Sequence, residues 1–160
     1  MQSWLAFEKD LTKWLAKAST GKLHYRNPNQ AIVGYESDSF RSDGMLTDGK
    51  RLLALEVEAK QTHPDTNTGK YWLLWEKYTR YESIVLFHIF TPAFDSYGHR
   101  MDLAQFYIDK MKDQVPIEYR LLDYRKAGNY TSTLASVKAA ISNKARELFG
   151  SEWKEPETTE

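Results

Sequence analysis

The chain has 160 residues, enough for one domain with a helix-covered sheet, and sets 22 basic against 22 acidic side chains. That balance excludes a global basic field for avid nonspecific nucleic-acid binding, and the lack of cysteine excludes disulfides, iron–sulfur clusters and thiolate zinc. No apolar run approaches membrane-spanning length and the first ten residues are already charged, so a soluble cytoplasmic protein with no membrane partner is expected.

Residues 3–18 place Trp4, Phe7, Leu11, Trp14, Leu15 and Ala18 at helical spacing, with Ser3 as N-cap. Glu8 borders this apolar stripe, while Lys9, Lys13 and Lys17 face away. A carboxylate there needs a cation, a bonding partner such as Thr12, or a path to solvent. Gly21 ends the helix, Asn27-Pro28-Asn29 marks a loop, and Ala31–Tyr35 reads as a short strand. A β-hairpin follows over Ser42–Gln61. His63–Gly69 reads as a loop rich in capping residues, opening a helix from Lys70 to Tyr81. Ser83–Phe90 is an almost continuously apolar, β-rich run, as a strand buried on both faces requires. Pro92–Gly98 is a loop, Arg100–Lys112 a helix, Ile117–Tyr124 a strand and Ser132–Phe149 the last helix. The expected architecture is therefore α/β, one domain over 1–150 with a mixed β-sheet flanked by helices, and an acidic flexible tail over 151–160. The four histidines, His24, His63, His88 and His99, lack metal-ligand spacing and read as surface or core residues.

The hairpin carries the chemistry. In its second strand the odd positions Leu53, Leu55, Val57 and Ala59 are apolar, whereas the even ones turn from Leu52 and Ala54 to Glu56, Glu58 and Lys60. Strand side chains alternate, so one face is core and the other ends in two carboxylates and an ammonium. A tight turn at Asp48-Gly49 would pair Thr47 with Lys50 and set Asp43 opposite Ala54. Asp43 would share a face with Glu56, Glu58 and Lys60, but with Glu56 as its diagonal neighbour. Bringing Asp43 to Glu58 requires a longer turn, a bulge or a bend, so Glu56 competes with Glu58 as a ligand.

Ser42-Asp43, fourteen residues and Glu58-Ala59-Lys60 on a hairpin resemble the active site of the PD-(D/E)XK nuclease superfamily, with Ser42 in place of its Pro. The order helix, strands, helix, strand is similar to the αβββαβ core of the restriction endonuclease-like fold over roughly Trp4 to Phe90. The resemblance implies metal-dependent hydrolysis of DNA phosphodiesters, endonucleolytic in kind, with Asp43, Glu58 and Lys60 catalytic. It implies Mg²⁺, with Mn²⁺ as a substitute, held by Asp43 and Glu58 and approached by Glu8 from the first helix. A dication polarises the phosphoryl oxygen and acidifies an attacking water, and Lys60 would orient that water or neutralise developing charge. Cutting both strands of a duplex would call for a homodimer.

The match has gaps. The Gln-x-x-x-Tyr of RecB-like exonucleases is missing, because Gln61 directly follows Lys60 and the next helix has no Gln. Lys70, Lys77, Arg80, Arg41, Lys50 and Arg51 are candidates for phosphate contacts or for a plain solvated face. A non-catalytic nucleic-acid-binding or assembly subunit with the same fold is the main alternative. A hydrolase using Glu56 and Glu58 as acid and base is disfavoured, since neighbours on one strand face lie too close.

Overall fold

The computed structural model describes residues 3–26, 42–59, 63–94 and 99–157. Helices α1 (Phe7–Ala16), α2 (Pro64–Lys77), α3 (Arg100–Met111) and α4 (Tyr130–Phe149) surround a single sheet. Its strands are β1 (His24–Arg26), β2 (Gly44–Thr47), β3 (Arg51–Glu58), β4 (Ser83–Phe90) and β5 (Ile117–Asp123), in spatial order β1-β2-β3-β4-β5. β1, β2 and β3 pair antiparallel, and β3, β4 and β5 pair parallel. The protein is thus α/β with a five-stranded mixed open sheet.

Alternation of side chains builds two cores. Leu53, Leu55, Val57 and Ala59 pack with Phe7, Leu11, Trp14 and Leu15 of α1 and with Val137, Ile141, Ala145 and Phe149 of α4. Leu52 and Ala54 pack with Tyr71 and Leu74 of α2 and Ile108 and Met111 of α3 on the other face. The steps β3-α2-β4 and β4-α3-β5 both move the same way along the sheet, and crossovers sharing one hand place both helices on one face. Every residue of β3 after Arg51 is buried, as is every residue of β4 after Ser83. The strand face that carries Glu56 and Glu58 is therefore buried, with Lys70 and Tyr71 of α2 bonded to Glu56.

Three boundaries differ from the sequence expectation, each for a local reason. The stretch 64–69 is the start of α2 rather than a loop. Pro64 sits in the first turn, where a missing N–H costs nothing. The Thr68 hydroxyl reaches Asp65 O at 3.0 Å and Ala104 O of α3 at 3.1 Å, and a Cβ on Gly69 would lie 3.5 Å from the Tyr107 ring. Packing against α3 overrides weak helix propensity here. Secondly, the turn of the hairpin is four residues long, because Thr47 pairs with Leu52. Asp48 Oδ1 accepts the N–H groups of Lys50 at 2.9 Å and Arg51 at 2.7 Å, and Gly49 takes φ +92°. Thirdly, the segment after Ser151 does not fray throughout: Trp153 is buried with its ring 6.0 Å from Trp14, and Pro156 is buried too. The short strand β1 was not anticipated, and the candidate strand Ala31–Tyr35 lies outside the described residues. Among the described residues no helix is long and apolar enough to cross a membrane.

Candidate functional site

The four-residue turn decides the geometry of the site. Gly44 pairs with Leu55, so the register continued by one residue sets Asp43 opposite Glu56, two residues further along β3 than a tight turn would allow. A two-residue shift preserves side-chain parity. Asp43 Oδ2 then accepts the Val57 N–H at 2.7 Å, which anchors the carboxylate beside the carboxyl end of β3. Ser42 is buried, and its hydroxyl lies 3.0 Å from Gly44 O and 3.1 Å from Leu55 O.

A cleft of about 270 Å³ opens at this end of the sheet, lined by Leu5, Glu8, Asp43, Val57, Glu58, Ala59 and Asn67. It lies at the carboxyl end of β3, between the first turns of α1 and α2. Glu8, Asp43 and Glu58 are thus brought to one mouth, and Glu8 hydrogen-bonds Asp43 directly. α1 packs closely here: a Cβ on Gly44 would come within 3.1 Å of the Thr12 methyl, so any larger residue would require the helix side chain to give by a few tenths of an ångström. Lys60 lies outside the described residues. Among the described residues lining the cleft, none is basic.

The electrostatics follow from this crowding. Burial pushes the Asp43 carboxyl above its usual range; the Val57 N–H, the Lys70 ammonium and the Glu8 hydrogen bond oppose the shift, and the charge of Glu58 adds to it. Glu56, behind the cleft, is pushed up to about 7 by burial against the pull of Lys70. Its Oε1 receives Lys70 Nζ at 2.9 Å and its Oε2 receives the Tyr71 hydroxyl at 2.7 Å. Glu56 is therefore committed to α2 and does not line the cleft, which leaves Glu58 as the strand carboxylate at the opening.

Three residues of this network escaped the sequence reading. Asn67 Nδ2 donates to Glu58 Oε1 at 2.6 Å, and its Oδ1 lies 3.3 Å from Lys70 Nζ. The signal for it was hidden by reading 63–69 as a loop; in a helix, Asn67 and Lys70 are three apart and share a face. His88, on β4, lies with Nε2 2.8 Å from Glu58 Oε1 and Nδ1 2.6 Å from the Tyr119 hydroxyl of β5. His88 is the one polar side chain between Ile84 and Phe90, and a polar residue inside an apolar strand calls for partners on its neighbours. Tyr119 carried no signal of its own.

Larger hollows exist elsewhere. One of about 420 Å³ runs along α2 beside Tyr107, lined by Trp72 and Leu73 among others, but no cluster of acids converges on it. Among the described residues no group of three or more His, Asp or Glu side chains is arranged to hold a metal ion. The donors that the described residues present at the cleft are nevertheless carboxylate oxygens, the type a hard dication such as Mg²⁺ prefers. No family model, curated protein or solved structure matches the chain.

Proposed function

We propose that the protein is a metal-dependent nuclease of the PD-(D/E)XK type that hydrolyses DNA phosphodiesters endonucleolytically. The observation that carries this reading is the meeting of Asp43 and Glu58 at one cleft at the carboxyl end of β3, with Glu8 bonded to Asp43 and no basic side chain among the described lining residues. Such a set gathers negative charge where DNA would add more, an arrangement that makes sense with a dication between them. Asp43 and Glu58 would hold Mg²⁺ or Mn²⁺, with Glu8 beside them. When bound, the dication supplies a Lewis acid for the phosphoryl oxygen and lowers the pKa of an attacking water.

The chain's own residues do the rest. The Val57 N–H and Asn67 hold the two carboxylates in place. Lys60, two residues beyond Glu58 in sequence, is assigned the task of orienting the water or offsetting charge that develops on the phosphate. Lys70 keeps Glu56 satisfied beneath the site. Cleavage of both strands of a duplex would require two copies related by a two-fold axis.

Titration of Mg²⁺ and Mn²⁺ against linear, circular, branched and single-stranded DNA tests this. Metal-dependent cleavage that includes circular substrates, and that is lost in Asp43→Asn and Glu58→Gln, is the expected result. A second reading, a non-catalytic nucleic-acid-binding or assembly subunit of the same fold, is favoured by one observation. Asn67, His88, Lys70 and Tyr71 already supply partners for Glu56 and Glu58, as a purely structural network would. DNA binding without cleavage at any metal concentration would establish that reading instead.

A further inference from the structure

We propose that His88 and Tyr119 are positioning residues for Glu58, a buried hydroxyl–imidazole–carboxylate chain that sets the orientation in which Glu58 meets a divalent cation. The inference rests on the cation-binding reading of the cleft and names the residues that make that site rigid.

The three groups come from three adjacent strands. Glu58 ends β3, His88 lies opposite Glu56 on β4 and Tyr119 opposite Leu86 on β5, so the register sets the three along a diagonal of the sheet, two residues back at each strand. The His88 side chain is fully buried, its ring centroid 4.5 Å from that of Phe90 and 5.7 Å from that of Tyr119, so its plane is held by packing. A carboxylate that binds a cation is ionised and only accepts hydrogen bonds, so the contact at 2.8 Å needs a hydrogen on Nε2. Tyr119 selects that tautomer. With the hydrogen on Nε2, a neutral imidazole keeps Nδ1 as acceptor, and the Tyr119 hydroxyl 2.6 Å away is the donor that matches it. Burial first, and then the Glu58 charge, raise the Tyr119 hydroxyl above its ordinary range and keep it a donor.

Two further contacts complete the clamp. Asn67 Nδ2 reaches the same Oε1 from α2 at 2.6 Å, so two donors from different elements define the carboxylate plane. The Thr91 N–H and hydroxyl both lie 3.1 Å from the Glu58 carbonyl oxygen and pin its backbone. Outer groups that orient a ligand in this way typically contribute about 10–100-fold to metal affinity.

The test uses the full chain and Mn²⁺ alone as probe, with binding followed by calorimetry or electron paramagnetic resonance, thermal melts in parallel, and DNA cleavage measured separately. His88→Leu is expected to weaken Mn²⁺ binding about 10–100-fold. Tyr119→Phe, which keeps the ring, is expected to lose about 2–10-fold, the worth of one net hydrogen bond. His88→Gln, with an amide N–H of similar reach, should regain part of the loss. If both His88→Leu and Tyr119→Phe fold and bind Mn²⁺ like the parent, the proposal is overturned and the chain is structural only. If His88→Leu does not fold, unchanged Mn²⁺ affinity in Tyr119→Phe overturns it. A parent protein that binds no Mn²⁺ overturns this inference together with the cation site. Binding that responds to the variants, without cleavage of any DNA, overturns the nuclease reading and leaves the positioning role standing.

Discussion

At the turn end of the β2–β3 hairpin, Asp48 Oδ1 accepts two backbone N–H groups and its Oδ2 accepts two from the Arg51 guanidinium, 3.0 Å from Nε and 2.7 Å from a terminal nitrogen. At the other end, Asp43 accepts the Val57 N–H and meets two further acids, Glu8 and Glu58. Burial works against the charge at both ends. At Asp48 the N–H groups of Arg51 and Lys50 and the guanidinium win, and its carboxyl falls below the usual range. At Asp43 burial wins, helped by Glu58, and the carboxyl rises. An acid that serves the fold is given its counter-charge by the chain. At Asp43 the pull of the Lys70 ammonium does not outweigh burial and the Glu58 charge, and a dication at the cleft would add the counter-charge.

That contrast breaks most visibly if Asp43 or Glu58 is neutralised. Asp43→Asn and Glu58→Gln remove proposed ligands themselves, so Mn²⁺ affinity and metal-dependent cleavage should fall by more than the roughly 10–100-fold that outer groups cost. Without metal, Asp43→Asn should be neutral or mildly stabilising in denaturant unfolding, because it removes charge from a crowded acid cluster. A strongly destabilised Asp43→Asn that still cleaves DNA would make Asp43 a second Asp48.

Lys70 sharpens the comparison from beneath the site. Its side chain is 15% exposed and that of Glu56 2%, at 2.9 Å. Lys70→Met strands a buried acid, a change that typically costs about 3–5 kcal/mol. Adding Glu56→Gln should restore most of the loss at pH 8. Unfolding midpoints that show no recovery in the double variant would mean that Lys70 stabilises chiefly by packing on Tyr71.

The pH dependence of the metal-free protein gives the same contrast in another form. Burial carries Glu56 from its ordinary 4.5 to about 7, with Lys70 opposing. Between these values the folded chain keeps a proton that the unfolded chain releases. The stabilising contribution is therefore fully present below pH 4.5 and is lost as pH rises through 7. The shift corresponds to about 3 kcal/mol at about 1.4 kcal/mol per unit. Unfolding free energies from pH 5 to 8 should decline in the parent and flatten in Glu56→Gln; parallel curves would remove Glu56 as the source.

How much of this was readable from sequence depends on the range of the forces involved. The central strand Ser83–Phe90 matches its expected bounds because a continuous apolar run has few other fates, and α3, α4 and β5 follow from periodicity within two residues. The alternation in β3 placed Glu56 and Glu58 on one face. What alternation alone does not determine is register, which here depends on whether Asp48 caps the turn with its side chain. That choice moved Asp43 past Ala54 to Glu56 and within reach of the Val57 N–H. Asn67, His88 and Tyr119 were missed because their roles arise from contacts 9, 30 and 31 residues apart in sequence. A lone polar residue in an apolar strand, as at His88, signals that a partner exists without naming it.

The smallest effect belongs to the turn itself. Asp48→Asn keeps an oxygen to accept the Lys50 and Arg51 N–H groups but loses the charge that faces the guanidinium. Arg51 is 38% exposed, so solvent already screens the pair and the cost should be about 1 kcal/mol in denaturant unfolding. Because the Asp48 carboxyl is held below its usual range, its contribution is present above the ordinary carboxylate pKa and disappears as pH falls through its lower folded value. The Asp48→Asn penalty should therefore shrink at acid pH. The register should survive, since Arg51 also donates to Leu148 O at 2.5 Å and ties the turn to α4. Metal-dependent cleavage should then be unchanged. A variant that unfolds little yet loses cleavage would show that the turn sets the register of Asp43 through its charge rather than through its hydrogen bonds.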